Sequence, residues 1–188
     1  KGRASGSAGL EKAARYIEKQ FRAAGLQPLD GSYLQAFSVT TNARLGSGNR
    51  LHFTWRDARR DLNKGVDFTP FNFSESGKVS GSVVFAGYGI TAKEYNYDDY
   101  AGLDVKDKIV LILRHEPQEW DEKSVFAGKV YTEHSQFPSK ATNARNHGAR
   151  AVLIVNDAPN HSGEADELER FGRSVGPRNA GIPFVQIK

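Results

Sequence analysis

The chain contains no cysteine and no methionine among its 188 residues. Without thiols there is no disulfide framework, no thiolate metal site and no cysteine nucleophile, although disulfide-free chains occur in the cytosol and the periplasm alike. With no methionine and lysine at position 1, the sequence is expected to be an excised piece, and any signal peptide is expected upstream of it. Long apolar runs are also lacking. The longest, IVLIL at 109–113, is strand-sized against the roughly 20 residues that cross a bilayer, so no membrane span is expected. An excess of one charge is lacking too: 26 basic and 22 acidic residues give +4, and the two signs are interspersed, with no stripe that would hold nucleic acid. The densest basic stretch, RDARR at 56–60, reads as a charged turn or strand end.

What is present has a clear local order. Leu10, Ala13, Ala14, Ile17, Phe21 and Ala24 recur at steps of three and four, which predicts an amphipathic helix from Leu10 to Ala24, with Ser7 as N-cap and Gly25–Leu26 as its stop. After Pro28, SYLQAFSVTT and NRLHFTW alternate apolar with polar residues around the turn signal RLGSGNR, so strands are expected on both sides of it. The stretch from 60 to 65 reads as a loop, dividing residues 1–62 from a second region, 63–188, that is rich in Phe and Gly at its start. There KDKIVLILR and ARAVLIV read as buried strands joined by a helix in PSKATNARNHGA, a β-α-β crossover, and IPFVQIK as a final strand.

Three patterns raise chemistry. Gly87, Gly89 and Ala92 follow a β-branched run with the G-x-G-x-x-A spacing of a dinucleotide turn. Such a site needs a helix opening on the last glycine, so that its amides hold the pyrophosphate. TAKEYNYDDYAGLD is Tyr- and Asp-rich and broken at Gly102, so these glycines are expected to serve a tight turn, and no cofactor-binding residue is assigned. The five histidines invite a metal search. HEPQE at 115–119 starts like H-E-x-x-H, but Glu119 stands where the second histidine belongs and Pro117 breaks the required helix. His52, His134, His147 and His161 lie far apart in the chain, and the metal assignment is none, with no stoichiometric zinc expected. Asp98, Asp99, Asp104 and Asp107 lack the spacing of a calcium loop and are read as turn and cap residues. There is no G-x-S-x-G elbow and no catalytic residue is assigned.

Two stretches carry a family resemblance. KGRASGSAGLEKAARYIEKQFRAAGLQPL, followed by Y-x-Q-x-F at Tyr33 to Phe37, is similar to the opening of bacterial zinc aminopeptidases related to glutamate carboxypeptidase. VVFAGYGI, YDDYAGLDVKDKIVLILR, KATNARNHGARAVLIVND and IPFVQI, with Lys140, Ala144, Gly148 and Ala149 at K-x-x-x-A-x-x-x-G-A, resemble the protease-associated domain inserted in such enzymes. The resemblance implies an α+β, mainly β fold: a β-sandwich or open barrel with flanking helices, preceded by an amphipathic helix and strands of the parent peptidase. It implies a non-catalytic domain that modulates substrate access or protein–protein contact. The parent's two zinc ions would be held by His, Asp and Glu motifs that follow the inserted domain, beyond Lys188. The implied partners are that catalytic domain, its peptide or protein substrates and, through the N-terminal helix, another copy of the chain. The implied compartment is periplasmic or extracellular. The competing expectation is a small nucleotide-binding enzyme using the Gly87–Gly89 turn.

Overall fold

The structure, a computed structural model, describes residues 2, 4–37, 44–158, 160–172 and 179–188. It divides into two compact units, Lys1–Asn42 and Ala43–Lys188.

The first unit is built on α1 (Ala8–Ala23). Ser7 adopts extended backbone and its Oγ accepts from the Leu10 amide at 3.2 Å, satisfying one of the free N–H groups of the first turn. At the other end Gly25 takes φ +72°, its amide donates to Arg22 O, and the Leu26 amide donates to Phe21 O. These are the paired bonds of a left-handed helix stop. The sequence expectation for this helix therefore holds, with the bounds shifted by one or two residues. None of its residues is buried. Phe21 stands 6.4 Å from the Tyr33 ring, and the Arg22 guanidinium lies over that ring. The strand expected in SYLQAFSVTT does not form over residues 33–37, and its remainder lies outside the described residues.

The second unit opens with a hairpin, β1 (Leu51–Trp55) and β2 (Ala58–Leu62), paired from Leu51↔Leu62 to Trp55↔Ala58 around Arg56 at φ +52°. RDARR is thus a tight turn running into a strand. The following strands are β3 (Phe68–Pro70), β4 (Val83–Phe85), the short pair β5 (Thr91–Ala92) and β6 (Tyr97–Asp98), β7 (Ile109–Leu113), β8 (Ala151–Val155) and β9 (Phe184–Ile187), with α2 (Phe137–Asn146) between β7 and β8. Five of them form one sheet in the order β3-β9-β8-β7-β4. Neighbours among β4, β7, β8 and β9 run parallel, and β3 is antiparallel to β9. Pro70 sits on the edge strand β3, where an absent N–H costs no ladder bond.

Strand periodicity sorts the apolar side chains between two faces. Val110, Ile112, Val152, Ile154 and Phe184 point into a core with Ala141 and Ala144 of α2. Phe71 joins them, its ring 4.6 Å from Phe137 and 5.1 Å from Phe184. Ile109, Leu111, Leu153, Val155, Val185 and Ile187 form the opposite face, and Leu51, Phe53 and Leu62 of the hairpin pack onto it. The sheet is therefore covered by a β layer on one side and a helix on the other, an α+β, mainly β arrangement. The sequence reading divides the chain between 62 and 63, at a charged loop; the compact units divide between Asn42 and Ala43, with the hairpin in the second unit and its apolar face in the cluster of Leu153 and Ile187. No helix among the described residues is long and apolar enough to cross a membrane.

Candidate functional site

Parallel neighbours place their carboxyl ends side by side, and the segments leaving β4, β7 and β8 meet at that edge of the sheet. They bring Tyr88, residues 115–119 and Asp157, Asn160 and His161.

After β7, Pro117 forbids a regular helix, yet His115 and Gln118, at φ +65° and +59°, fold the chain into a compact turn. His115 Nδ1 comes within 3.4 Å of Glu119 Oε2. After β8, the amides of Asn160 and His161 donate to Asp157 O, forming a turn that swings His161 back toward Glu119. His161 Nε2 lies 2.6 Å from Glu119 Oε1, and its Nδ1 lies 3.1 Å from Glu164 Oε1. The two imidazole rings are 4.4 Å apart, and His115 stacks on Tyr131 at 5.0 Å. Tyr131 donates its hydroxyl to Glu119 Oε2 at 2.8 Å.

Glu119 is only 2% exposed. Its Oε1, His115 Nδ1 and both ring nitrogens of His161 are buried without a hydrogen bond, although their neighbours are close, so the failure is one of direction. Burial, aided by the Arg114 charge, pulls His115 down to about 4, leaving its imidazole neutral at pH 7. Burial also lowers His161, but Glu164 and Glu119 outweigh it and hold that ring above the usual histidine range. Burial first, and Glu119 second, raises the Tyr131 phenol, which therefore stays a donor. Among the described residues, His115, Glu119 and His161 form the one group whose donor atoms, all within 4.8 Å of one another, have the composition of a metal site.

The surrounding polar groups are internally paired. Glu116, fully buried, accepts from the amide and hydroxyl of Thr132, and Asp157 accepts from Tyr88 Oη and Asn160 Nδ2, each at 2.6 Å. Lys140 is 1% exposed and donates Nζ to Tyr88 O, while Asn143 Nδ2 donates to Gly89 O. Burial lowers the Lys140 ammonium to about 7, against the attraction of Asp99 and Glu116. Thus α2 pins the glycine turn from one side.

That turn does not present amides to a ligand. Gly87 and Gly89 take φ +49° and +69°, and the Tyr88 and Ile90 amides both donate to Asp99 Oδ2 at 3.0 Å. A Cβ on Gly87 would fall 2.3 Å from Asp99 Oδ1. The chain continues into β5 and a single 3₁₀ turn, Lys93–Tyr95, with no α-helix opening there. The glycines let an internal carboxylate occupy an anion nest, and the nucleotide alternative finds no support. Asp98 has the turn role expected of it, accepting from the Tyr100 amide, whereas Asp104, expected in a turn or cap, accepts from Lys108 Nζ in an ion pair. His134 pairs with Glu94 at 2.7 Å, and His147 meets Thr91 Oγ1 at 3.1 Å while stacking on Tyr100.

Sequence spacing missed the meeting of His115 with His161 because 45 intervening positions separate them along the chain (161 − 115 − 1 = 45). The available signal was topological. Each histidine follows one of two strands already recognisable as parallel neighbours, and the ends of such strands adjoin.

Among curated proteins no sequence match was found. The model of the PA domain family matches residues 79–188, more than half of the chain. Among solved structures, an aminopeptidase from Aneurinibacillus sp. strain AM-1 is similar at 23% identity and a TM-score of 0.48, covering 97% of this chain and 33% of that one. A zinc aminopeptidase from Bacillus subtilis is similar at 22% identity and a TM-score of 0.38, covering 97% and 34%. The chain thus spans about a third of the length of each. With residues 79–188 matched and containing β4, β7, α2, β8 and β9, the chain belongs to the PA domain family.

Proposed function

We propose that the chain is a non-catalytic protease-associated domain, with the leading segment, of a zinc aminopeptidase, and that it modulates which peptides reach the parent's active site. Membership of the PA domain family over residues 79–188 carries this reading. Two features support it. The opening G-R-x-x-G-S-x-G run and helix resemble the start of such peptidases, and α1 leaves Ile17 and Phe21 about half exposed, an apolar stripe suited to the absent catalytic domain. Export to the periplasm or exterior belongs to the same proposal, as do the parent's two zinc ions. No residue of this chain is assigned to peptide hydrolysis.

The test compares the full-length protein with a version lacking residues 79–188. A short aminoacyl p-nitroanilide should be cleaved by both, while the ratio of kcat/KM for long and short peptides should change. Hydrolysis by the 188-residue chain alone would overturn the non-catalytic assignment. An unchanged length preference would overturn the role in substrate access.

A further inference from the structure

We propose that His115, Glu119 and His161 bind a single divalent ion of the zinc class, which ties the segment leaving β7 to the segment leaving β8. The proposal does not rest on the peptidase reading, because it concerns donors within this chain.

The donor set comes first. Two imidazoles and one carboxylate suit a borderline ion such as Zn²⁺ or Co²⁺, whereas Ca²⁺ and Mg²⁺ demand more oxygens. In a tetrahedral zinc site with bonds near 2.0–2.2 Å, neighbouring donors stand roughly 3.3 Å apart. Glu119 reaches the two rings through different oxygens, Oε2 standing 3.4 Å from His115 Nδ1 and Oε1 2.6 Å from His161 Nε2, and one donor atom from each residue lies within 4.8 Å of the others, so reaching this spacing takes shifts on the order of 1 Å.

The independent observation is that these donors are buried and without hydrogen bonds, including Glu119 Oε1 on a side chain almost wholly removed from solvent. An ordinary ion pair would align Glu119 Oε1 with a ring N–H of His161, and at 2.6 Å it is out of line. The supports are also those that metal ligands carry. Glu164 Oε1 stands 3.1 Å from His161 Nδ1, out of line for a hydrogen bond but on the side of the ring away from Nε2 and Glu119, and Tyr131 donates to Glu119 Oε2. His115 is locked by its stacking on Tyr131 and by the backbone turn at positive φ. An ion here would join the segment leaving β7 to the segment leaving β8, in the manner of a clip.

Trp120 supplies a reporter, since its ring lies 5.6 Å from that of His161 and the only other tryptophan is Trp55 in β1. Untagged chain carrying Trp55→Phe, stripped with chelator, is titrated with Co²⁺ and then with Zn²⁺. The expected result is saturable quenching of Trp120 at one Co²⁺ per chain, a visible absorption band, displacement by Zn²⁺ and a higher melting temperature. Ca²⁺ and Mg²⁺ at the same concentrations should do none of these. His115→Gln and His161→Gln should each weaken binding at least 100-fold, and Glu164→Gln roughly tenfold, as expected for a residue that orients a ligand. Should His161→Gln fail to fold, His115→Gln, checked for native circular dichroism, decides alone. Absence of saturable binding by the parent chain, or retention of its affinity in a folded histidine variant, overturns the site.

Discussion

The two α-helices among the described residues differ in how local signal relates to burial within their own units. The longer, α1, has a regular apolar stripe, a side-chain N-cap and a glycine stop, and buries no residue. The shorter, α2, is only weakly patterned, begins with Phe137 and Pro138, lacks a side-chain cap bond and yet buries Lys140, Ala141 and Ala144. Local signals decide that a helix forms; the surface offered by the remaining chain decides whether it counts toward stability. For α2 that surface is the face of β7, β8 and β9. Its small residues let the helix approach the sheet closely, and the stem of Lys140 crosses the gap to reach Tyr88.

The sharpest way to break this contrast is a charge on the buried side of α2. Ala144 has no exposure, so Ala144→Asp would bury a carboxylate against Val152 and Phe184 without a partner. A loss on the order of 4 kcal/mol is expected in urea unfolding. A loss under about 1 kcal/mol would mean that α2 is not the packed helix described.

The second measurement asks which N-terminal segments belong to the folded unit. A chain beginning at residue 43 should unfold cooperatively with the midpoint of the whole chain's second unit. One beginning at residue 63 removes Leu51, Phe53 and Leu62 and uncovers the hairpin side of the sheet. At about 1.5–3 kcal/mol for a fully buried side chain, reduced here because these three are only partly buried, a further loss of roughly 3 kcal/mol is expected. Equal stability of the two truncations would return the boundary to the charged loop at 62/63.

A smaller effect distinguishes Lys140 from the alanines beside it. Its pKa in the fold, about 7, lies below that of a free lysine, so the unfolded chain binds more protons between that value and roughly 10. Stability contributed at this site should therefore rise as pH increases from 7 to 9, and Lys140→Met should flatten the rise. Chemical denaturation at several pH values measures it. An unchanged slope in the variant would assign the pH dependence to other groups.

Most of the second unit's framework was legible because its signals are local and repeated. IVLIL and AVLIV are too apolar for surface strands, and Gly148 ends the helix between them, so the crossover follows from the chain alone. ARRDL was not legible as a strand. Its pairing depends on the partner LHFTW across a tight turn, and its one inward apolar residue, Leu62, is masked by four exposed positions. The Gly87–Gly89 spacing predicts a turn, but its occupant, Asp99, is set only by the pairing of β5 with β6, which folds it back. The His115–Glu119–His161 group was hidden for the same reason. Its members are set by loop conformations, including a non-glycine residue at positive φ, that no propensity favours.

The smallest expected effect completes the comparison from the side of α1. Ile17 lies on the helix's apolar stripe but is half exposed, and no residue of the helix is buried in its own unit. Ile17→Asp should therefore change the stability of the isolated monomer by no more than about 0.5 kcal/mol, the range for exposed positions. The same change should act strongly where the stripe is covered. If the chain self-associates through α1, sedimentation at rising concentration will show dimers that Ile17→Asp abolishes. If the stripe serves the parent's catalytic domain, the isolated chain stays monomeric in both forms, and the cost appears only in the full-length protein. There, fully burying an isoleucine contributes about 1.5–3 kcal/mol, and an aspartate forfeits that and adds a desolvated charge. A loss of several kcal/mol in the isolated monomer would instead show that α1 belongs to a core of its own, and the contrast between the two helices would fall.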